Sequence, residues 1–533
     1  MPLNRRRFVE LAGGGAALAA LAACEGPLAP ESAATGRRLE LLLDEPATID
    51  PALVAQPHEA TVAEALFEPL VRVGEGGVSH PAAAESWQIT DAGHAYQFKL
   101  SASGRWTSGE AVSSDDFVWS WRRNLAPELG ATFNYLLFPI RGAESYAGGG
   151  RNRNEPEIRA PDTSTLRVHL ERPTPGLLAR VGTTTFVPLP RAEIEGTGAS
   201  WTDPIRIRSN GPYKLAQWDR GLGMTLHRNP HYGGPTPPVF SDVVIRFPRS
   251  ADSRLQDFHA SPAHAASVSG ADYRSALGNP DLRPQVRLFE RAGTWFIVFN
   301  TRKAPWDMVA VRRALSLALD REALTAAVFD RPTLPAQRLT PESVLAAEPG
   351  GAPNVDEARA LLASAGFRNG AGLPPLRFTY HRTDQWDRLA AELARVWDDT
   401  LGVVVQPDVR EWRDFLDFSN APGDFDAYRA GWTSEFRHPS NWLDELWRSD
   451  VDFFRTGWGN TAFDQHLTTA AATTDQEAQR AAYLSADAVL EAETPAIAIG
   501  RHASAFLLKP DVTGFGIEPV SGAIDLARVE LGG

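Results

Sequence analysis

The sequence predicts an α/β protein with covered sheets. Three observations lead there: short strand-like runs alternate with amphipathic helical patterns over most of the 533 residues; the composition, 43% hydrophobic and 22% charged, is ordinary for globular proteins; and no internal repeat of 20–50 residues or low-complexity block interrupts the ordered part. The length suggests roughly two to four domains.

The elements follow in order. Residues 4–24 read NRRRFVELAGGGAALAALAAC: an Arg cluster, a small-residue apolar run of about a dozen, then Leu21-Ala22-Ala23-Cys24. That is the layout of a bacterial export signal over 1–23, and the run is too short and too rich in Gly and Ala for a good membrane span. Its ending resembles a lipoprotein cleavage box in which Cys24 becomes the acylated first residue. Arg5-Arg6 followed by Phe8 also resembles a twin-arginine signal, although Glu10 is atypical. Residues 24–38 are a Pro, Gly, Ser and Ala tether without periodicity. Strands are expected at 39–43, 95–100, 165–170, 223–227, 242–247, 294–299, 376–380 and 402–406. Helices are expected at 114–124, 309–327, 355–365, 384–400 and 474–492. In 384–400, Trp386, Leu389, Ala390, Leu393, Val396 and Trp397 share one face while Asp387, Arg388 and Arg395 lie elsewhere.

Charge and motifs narrow the function. The formal charge is −13, and without the leader's Arg5, Arg6, Arg7 and Glu10 it is −15. An acidic chain without a basic tract repels phosphate backbones, which argues against nucleic acid as a partner. The single cysteine permits no internal disulfide. The chain has no Walker loop, no G-x-S-x-G elbow and no H-E-x-x-H. His227 and His231 have helical ligand spacing, but Pro230 between them breaks the helix that metal binding would need. Asp115-Asp116 opens a helix, where carboxylates cap free N–H groups. The expectation is a protein that is not an enzyme and carries no metal or cofactor.

The stretch RAGWTSEFRHPSNW (429–442) sets one carboxylate, Glu435, among Trp432, Phe436 and Trp442. From its neighbours alone it reads as a hydrated turn acid, a catalytic acid or a counter-ion for something positive. Its context comes from a longer pattern: EALFEPLVR (64–72), HPAAAESWQI (80–89), YQFKLSASGRWTSGEAVSSDDFVWSWRR (96–123), SNGPYKLAQWDRGLGMTLHRNPHY (209–232), FNTRKAPWDMVAVRRALSLALDR (299–321), EARALLASAGF (357–367) and RAGWTSEFRHPSNWL (429–443). In order and spacing, over nearly all of 39–533, these resemble the extracytoplasmic solute-binding proteins of ABC importers, in the oligopeptide- and dipeptide-binding family, family 5.

The resemblance implies a two-lobed periplasmic-binding-protein-like class II fold with an additional inserted domain. It places lobe I at 39–66, 173–290 and 498–533, the inserted domain at 67–172 and lobe II at 291–497. Asn300 through Asp307 would be a crossing between lobes. It implies hinge closure over a short peptide, or over another small solute such as a sugar, metal chelate, haem or opine-like compound. The peptide would lie as an added strand, and Glu435, where the family has Asp, would pair its ammonium. At about 4 Å and an effective dielectric near 20, that pair is worth roughly 4 kcal/mol before desolvation. Trp432, Phe436 and Trp442 would exclude water, and Gly431 and Thr433 would offer backbone groups. Arg429 would take a carboxylate or serve a structural ion pair. A pairing edge aligns near Ala55-Gln56-Pro57, which Pro57 must alter because it lacks an N–H. Trp386 replaces a polar family position, and Arg501 and His502 would face the cleft. The expected partners are an ABC permease with its ATPase subunits and a membrane reached through a lipid on Cys24. The protein would act as a monomer on the periplasmic or extracellular face of a bacterial envelope.

Overall fold

The strand Arg38–Leu42 shows how the first sheet is built: Leu39 and Leu41, with Leu43 just beyond, feed one apolar cluster, and Leu42 points into another. Period-two side chains that are apolar on both faces require a sheet covered on both sides. The computed structural model describes residues 37–149, 155–250, 253–348, 350–421 and 423–532. The leader, Cys24 and nearly all of the tether therefore lie outside the described residues, and the first strand begins at Arg38, inside the range expected for the tether.

Eleven strands formed by these residues join through two long antiparallel ones, Val286–Phe299 and Ala496–Leu508. One half of the sheet runs from the distal part of Ala496–Leu508 through Ala265–Val268, Arg38–Leu42, Asp242–Arg246 and Gly223–Arg228 to Tyr213–Asp219. The other runs from Val286–Phe299 through Ala427–Thr433 and Leu376–His381 to Val405–Arg410, with Thr333–Pro335 pairing on Ala496–Leu508. The boundaries expected at 290/291 and 497/498 fall within the two shared strands, and their pairing register shifts between Glu290 and Thr294. A separate four-stranded sheet, Ala84–Thr90, Ala95–Leu100, Thr165–His169 and Ile158–Asp162, packs with the helix Ser114–Leu125 around its own core, which includes Phe98, Phe117 and Trp121.

Two expectations change. Residues 300–307 are a turn tied to Asp426 and Thr456, so the crossing happens in the strand before them. The helix expected over 309–327 is two, Val309–Leu317 and Arg321–Val328, because the Asp320 carboxylate accepts the Glu322 and Ala323 N–H groups and starts a new one. Asp116 behaves as a cap, accepting the Ser113 N–H at 2.8 Å. Among the described residues no helix is long and apolar enough to cross a membrane, and no group of three or more His, Cys, Asp or Glu side chains is arranged to hold a metal ion.

Candidate ligand-binding site

The strand Ala427–Thr433 separates the expected site residues by its pleat. Side chains two apart share a face and consecutive ones oppose. Arg429 lies opposite Ile297, and Gly431 opposite Trp295, on one face. There the Thr433 hydroxyl lies 3.2 Å from His502 Nδ1, and the ring of His502 sits tilted against Trp295, 4.3 Å between centroids. A Cβ on Gly431 would stand 2.6 Å from the Trp295 ring, so the absent side chain is what admits that indole. Trp432 lies opposite Thr294 on the other face, packed 5.3 Å from Phe453, with its Nε1 donating to Asn441 Oδ1. Arg501 also pairs with Thr294 and is 4% exposed, its guanidinium donating to the Thr294 hydroxyl and to the carbonyls of Leu339, Arg338 and Thr340. This corrects the expectation that Arg501 faces the cleft: the loop 338–340 consumes its donors.

Gln56 is corrected too. It precedes the helix Pro57–Leu66, and both its N–H and that of Ala55 donate to Glu59 Oε2, at 3.0 and 2.9 Å. Neither N–H is left there to pair with a strand-like guest. Phe436 and Trp442 are fully buried and belong to packing: Phe436 joins the core of the four-stranded sheet, and Trp442 Nε1 donates to the Ser434 hydroxyl at 2.7 Å.

Glu435 follows the strand, and Asn441 Oδ1 accepts its N–H at 2.9 Å. Its carboxyl is half-buried and is held above the usual carboxylate range by burial, an effect that Glu445 adds to while Tyr135, Arg180 and Asn441 oppose it. Tyr135 hydrogen-bonds Glu435, and burial, with the neighbouring charge, pushes its phenol upward. Arg180 is ion-paired to Glu445 and lies 4.0 Å over the Phe436 ring. Sequence reasoning missed Tyr135, Arg180 and Glu445. Tyr135 and Arg180 lie more than 250 residues from Glu435, and no local pattern joins them. Arg180 is spent on Glu445, so Glu435 has no ion-pair partner of its own among the described residues. Arg172, exposed, is the weakest of the charges acting on Arg180.

A second centre surrounds Arg429. Its side chain is 9% exposed and ringed by Phe415 at 4.7 Å, Trp386 at 5.0 Å and Trp412 at 5.9 Å. One guanidinium nitrogen reaches His381 Nδ1 at 2.8 Å, and its Nε has no partner. Trp386 is 4% exposed and forms part of this wall. Burial pulls Arg429 down to about 10, with Arg331 adding to it. Burial and Arg429 lower His381 to about 4, and burial with Arg331, Arg291 and Arg501 lowers His502 to about 3, so both rings are neutral.

A family model for bacterial extracellular solute-binding proteins, family 5 (its middle region), matches residues 79–454. The probable deoxycholate-binding periplasmic protein YgiS of Escherichia coli K12 is 30% identical over 486 residues, which is 88% of this chain and 89% of that one. The periplasmic murein peptide-binding protein MppA of the same organism is 28% identical, covering 91% and 90%. The unliganded open form of MppA superposes with a TM-score of 0.84 at 27% identity, over 93% of this chain and 98% of that one. Another structure of Escherichia coli MppA, also 27% identical and covering 93% and 99%, gives 0.58. Sequence identity is the same in both and coverage nearly so, and this chain superposes better on the structure described as open.

Proposed function

Because the chain belongs to the family 5 bacterial extracellular solute-binding proteins, which bind solutes for ABC importers and are not enzymes, we propose that it captures short peptides with a free amino end and delivers them to a membrane permease. The two-lobed fold with its inserted domain supplies the cleft. The observation that carries the peptide reading is the pairing around Glu435: Arg180 is taken by Glu445, and the Glu435 carboxyl is left beside a phenol that accepts or donates as the guest requires. A peptide ammonium supplies the partner. Arg429, six residues back along an extended segment, takes the far carboxylate. At about 3.3 Å per residue the two Cα atoms are at most about 20 Å apart, a span that suits a guest of about six residues or fewer.

The reading carries a domain division: lobe I at 39–66, 173–290 and 498–533, the inserted domain at 67–172, and lobe II at 291–497. Separate apolar cores and the two shared strands support it. It also carries a lipid on Cys24, a monomer on the outer face of a bacterial membrane, and a permease with ATPase subunits as partner. The sequence layout of 4–24 supports the lipid anchor.

Calorimetric titration with alanine peptides of three to five residues tests the ammonium role. Glu435→Gln weakens binding at least tenfold, and N-acetylated peptides scarcely bind the unaltered protein. Equal affinity for free and acetylated peptides overturns the role. A second reading has an observation of its own: the first of the two relatives is named for deoxycholate, an amphipathic anion without an ammonium. The aromatic wall around Arg429 suits such a guest. Deoxycholate binding that ignores Glu435→Gln would favour it.

A further inference from the structure

Arg331 stands at the rim of the Arg429 pocket, exposed, its guanidinium 4.8 Å from the Trp295 ring centre. Burial of its head group lowers its pKa, and no charged partner offsets this. Asp330, next in sequence, is turned away to Arg388 at 2.7 Å. Glu290 accepts Ser343 and lies 3.9 Å from Arg501, on the far face of the sheet. His381 and His502 are neutral, and Trp295, Trp386, Trp412 and Phe415 are uncharged. Among the described residues no carboxylate lies within ion-pair distance of Arg331 or Arg429, and Arg429 Nε and His502 Nε2 are buried without a hydrogen-bond partner.

Two guanidinium groups that repel each other beside low-dielectric rings raise the energy of the empty pocket, and one terminal carboxylate neutralises only half of the charge. An arginine that faces carboxylates forms paired, planar hydrogen bonds, so each guanidinium suits one carboxylate. We propose that Arg331 and Arg429 together form a dianion pocket, which selects peptides ending in an acidic residue by dividing the terminal and side-chain carboxylates between them. This rests on the peptide reading above and deepens it. The cleft is then complementary along its length: Glu435 meets one ammonium, and two positive charges meet two carboxylates.

The test compares alanine peptides of three to five residues ending in Glu with the same peptides ending in Gln. The unaltered protein prefers Glu at least tenfold. Arg331→Gln, a rim substitution that removes no core contact, brings the preference to within twofold by weakening the Glu peptides more than the Gln peptides, while Arg331→Lys keeps most of the preference. Equal affinity of the unaltered protein for both endings, or a loss in Arg331→Gln that is the same for both, overturns the proposal. If no free peptide binds, the peptide reading fails, and glutarate alone decides the pocket: a thermal upshift that Arg331→Gln lacks sustains it, and no upshift ends it.

Discussion

His438, 8% exposed, has both ring nitrogens engaged, Nδ1 with the Ser440 hydroxyl at 2.9 Å and Nε2 with Gln479 at 3.0 Å. Burial lowers it from 6.5 to about 4, against the pull of Gln479. Between those values the unfolded chain binds a proton that the folded one refuses, so stability rises with pH across the window. This contribution is fully present above pH 6.5 and is lost as the pH falls toward 4, by about 3 kcal/mol at the limit. Asp444, which burial raises to about 6, acts in the opposite sense. The measurement is therefore a difference: urea unfolding from pH 4 to 7 should show a shallower acid loss in His438→Gln than in the unaltered protein. At this scale the sequence was only partly legible. Arg501 and His502 are adjacent, and one spends its donors on a loop while the other borders the pocket. Nothing local tells them apart, because the partners of Arg501 lie about 160 residues away. Arg331 had no signal at all, since a cation without a counter-ion is visible only when its surroundings are known.

The helix Asp384–Leu401 matches its sequence pattern. Thr383 accepts the Trp386 N–H at its start, Gly402 ends it with φ +70°, and Leu389, Leu393 and Trp397 are buried. Trp397 fills the core and donates to the Leu315 carbonyl at 2.9 Å. Trp397→Ala should cost about 3–5 kcal/mol through the cavity and the orphaned carbonyl, read as a lower urea midpoint. Strands were less legible. Arg38–Leu42 and Ala95–Leu100 show clearly, but the strand expected at 402–406 begins at Val405, because Gly402 and Val403 close the preceding helix. Ala427–Thr433 was recognised by its motif but not as a pleated strand, so residues that its period two sends to opposite faces, Trp432 and Thr433, were assigned to one site. The register shift at Glu290–Thr294, in a strand shared by both halves of the sheet, leaves no mark in composition.

At the scale of the molecule, segments far apart in the chain are in contact. A Cβ on Gly176 would stand 2.6 Å from Ser440 Oγ and 2.7 Å from the Phe436 ring, and the Ser79 N–H donates to Gln476 at 2.9 Å. These contacts hold Phe436 and Ser440 against Gly176, and Gln476 against Ser79. Saturating peptide should lower the radius of gyration in X-ray scattering and shield Trp412, now 53% exposed, from acrylamide quenching. Unchanged scattering with bound peptide would mean that this arrangement itself is the binding state. The α/β class and the presence of two lobes could be anticipated because they follow from alternation and from a long ordered motif. The state of opening could not, since one sequence serves both states.

The opposed charges of the two centres, an acid without an ion-pair partner beside Tyr135 and the guanidinium groups of Arg331 over Trp295 and Arg429 over Trp386, give the empty groove a direction. A zwitterion approaching it experiences a torque before any contact forms, so its two termini arrive sorted rather than searching both alignments. A chain threaded backwards would set like against like at each end and leave as fast as it came.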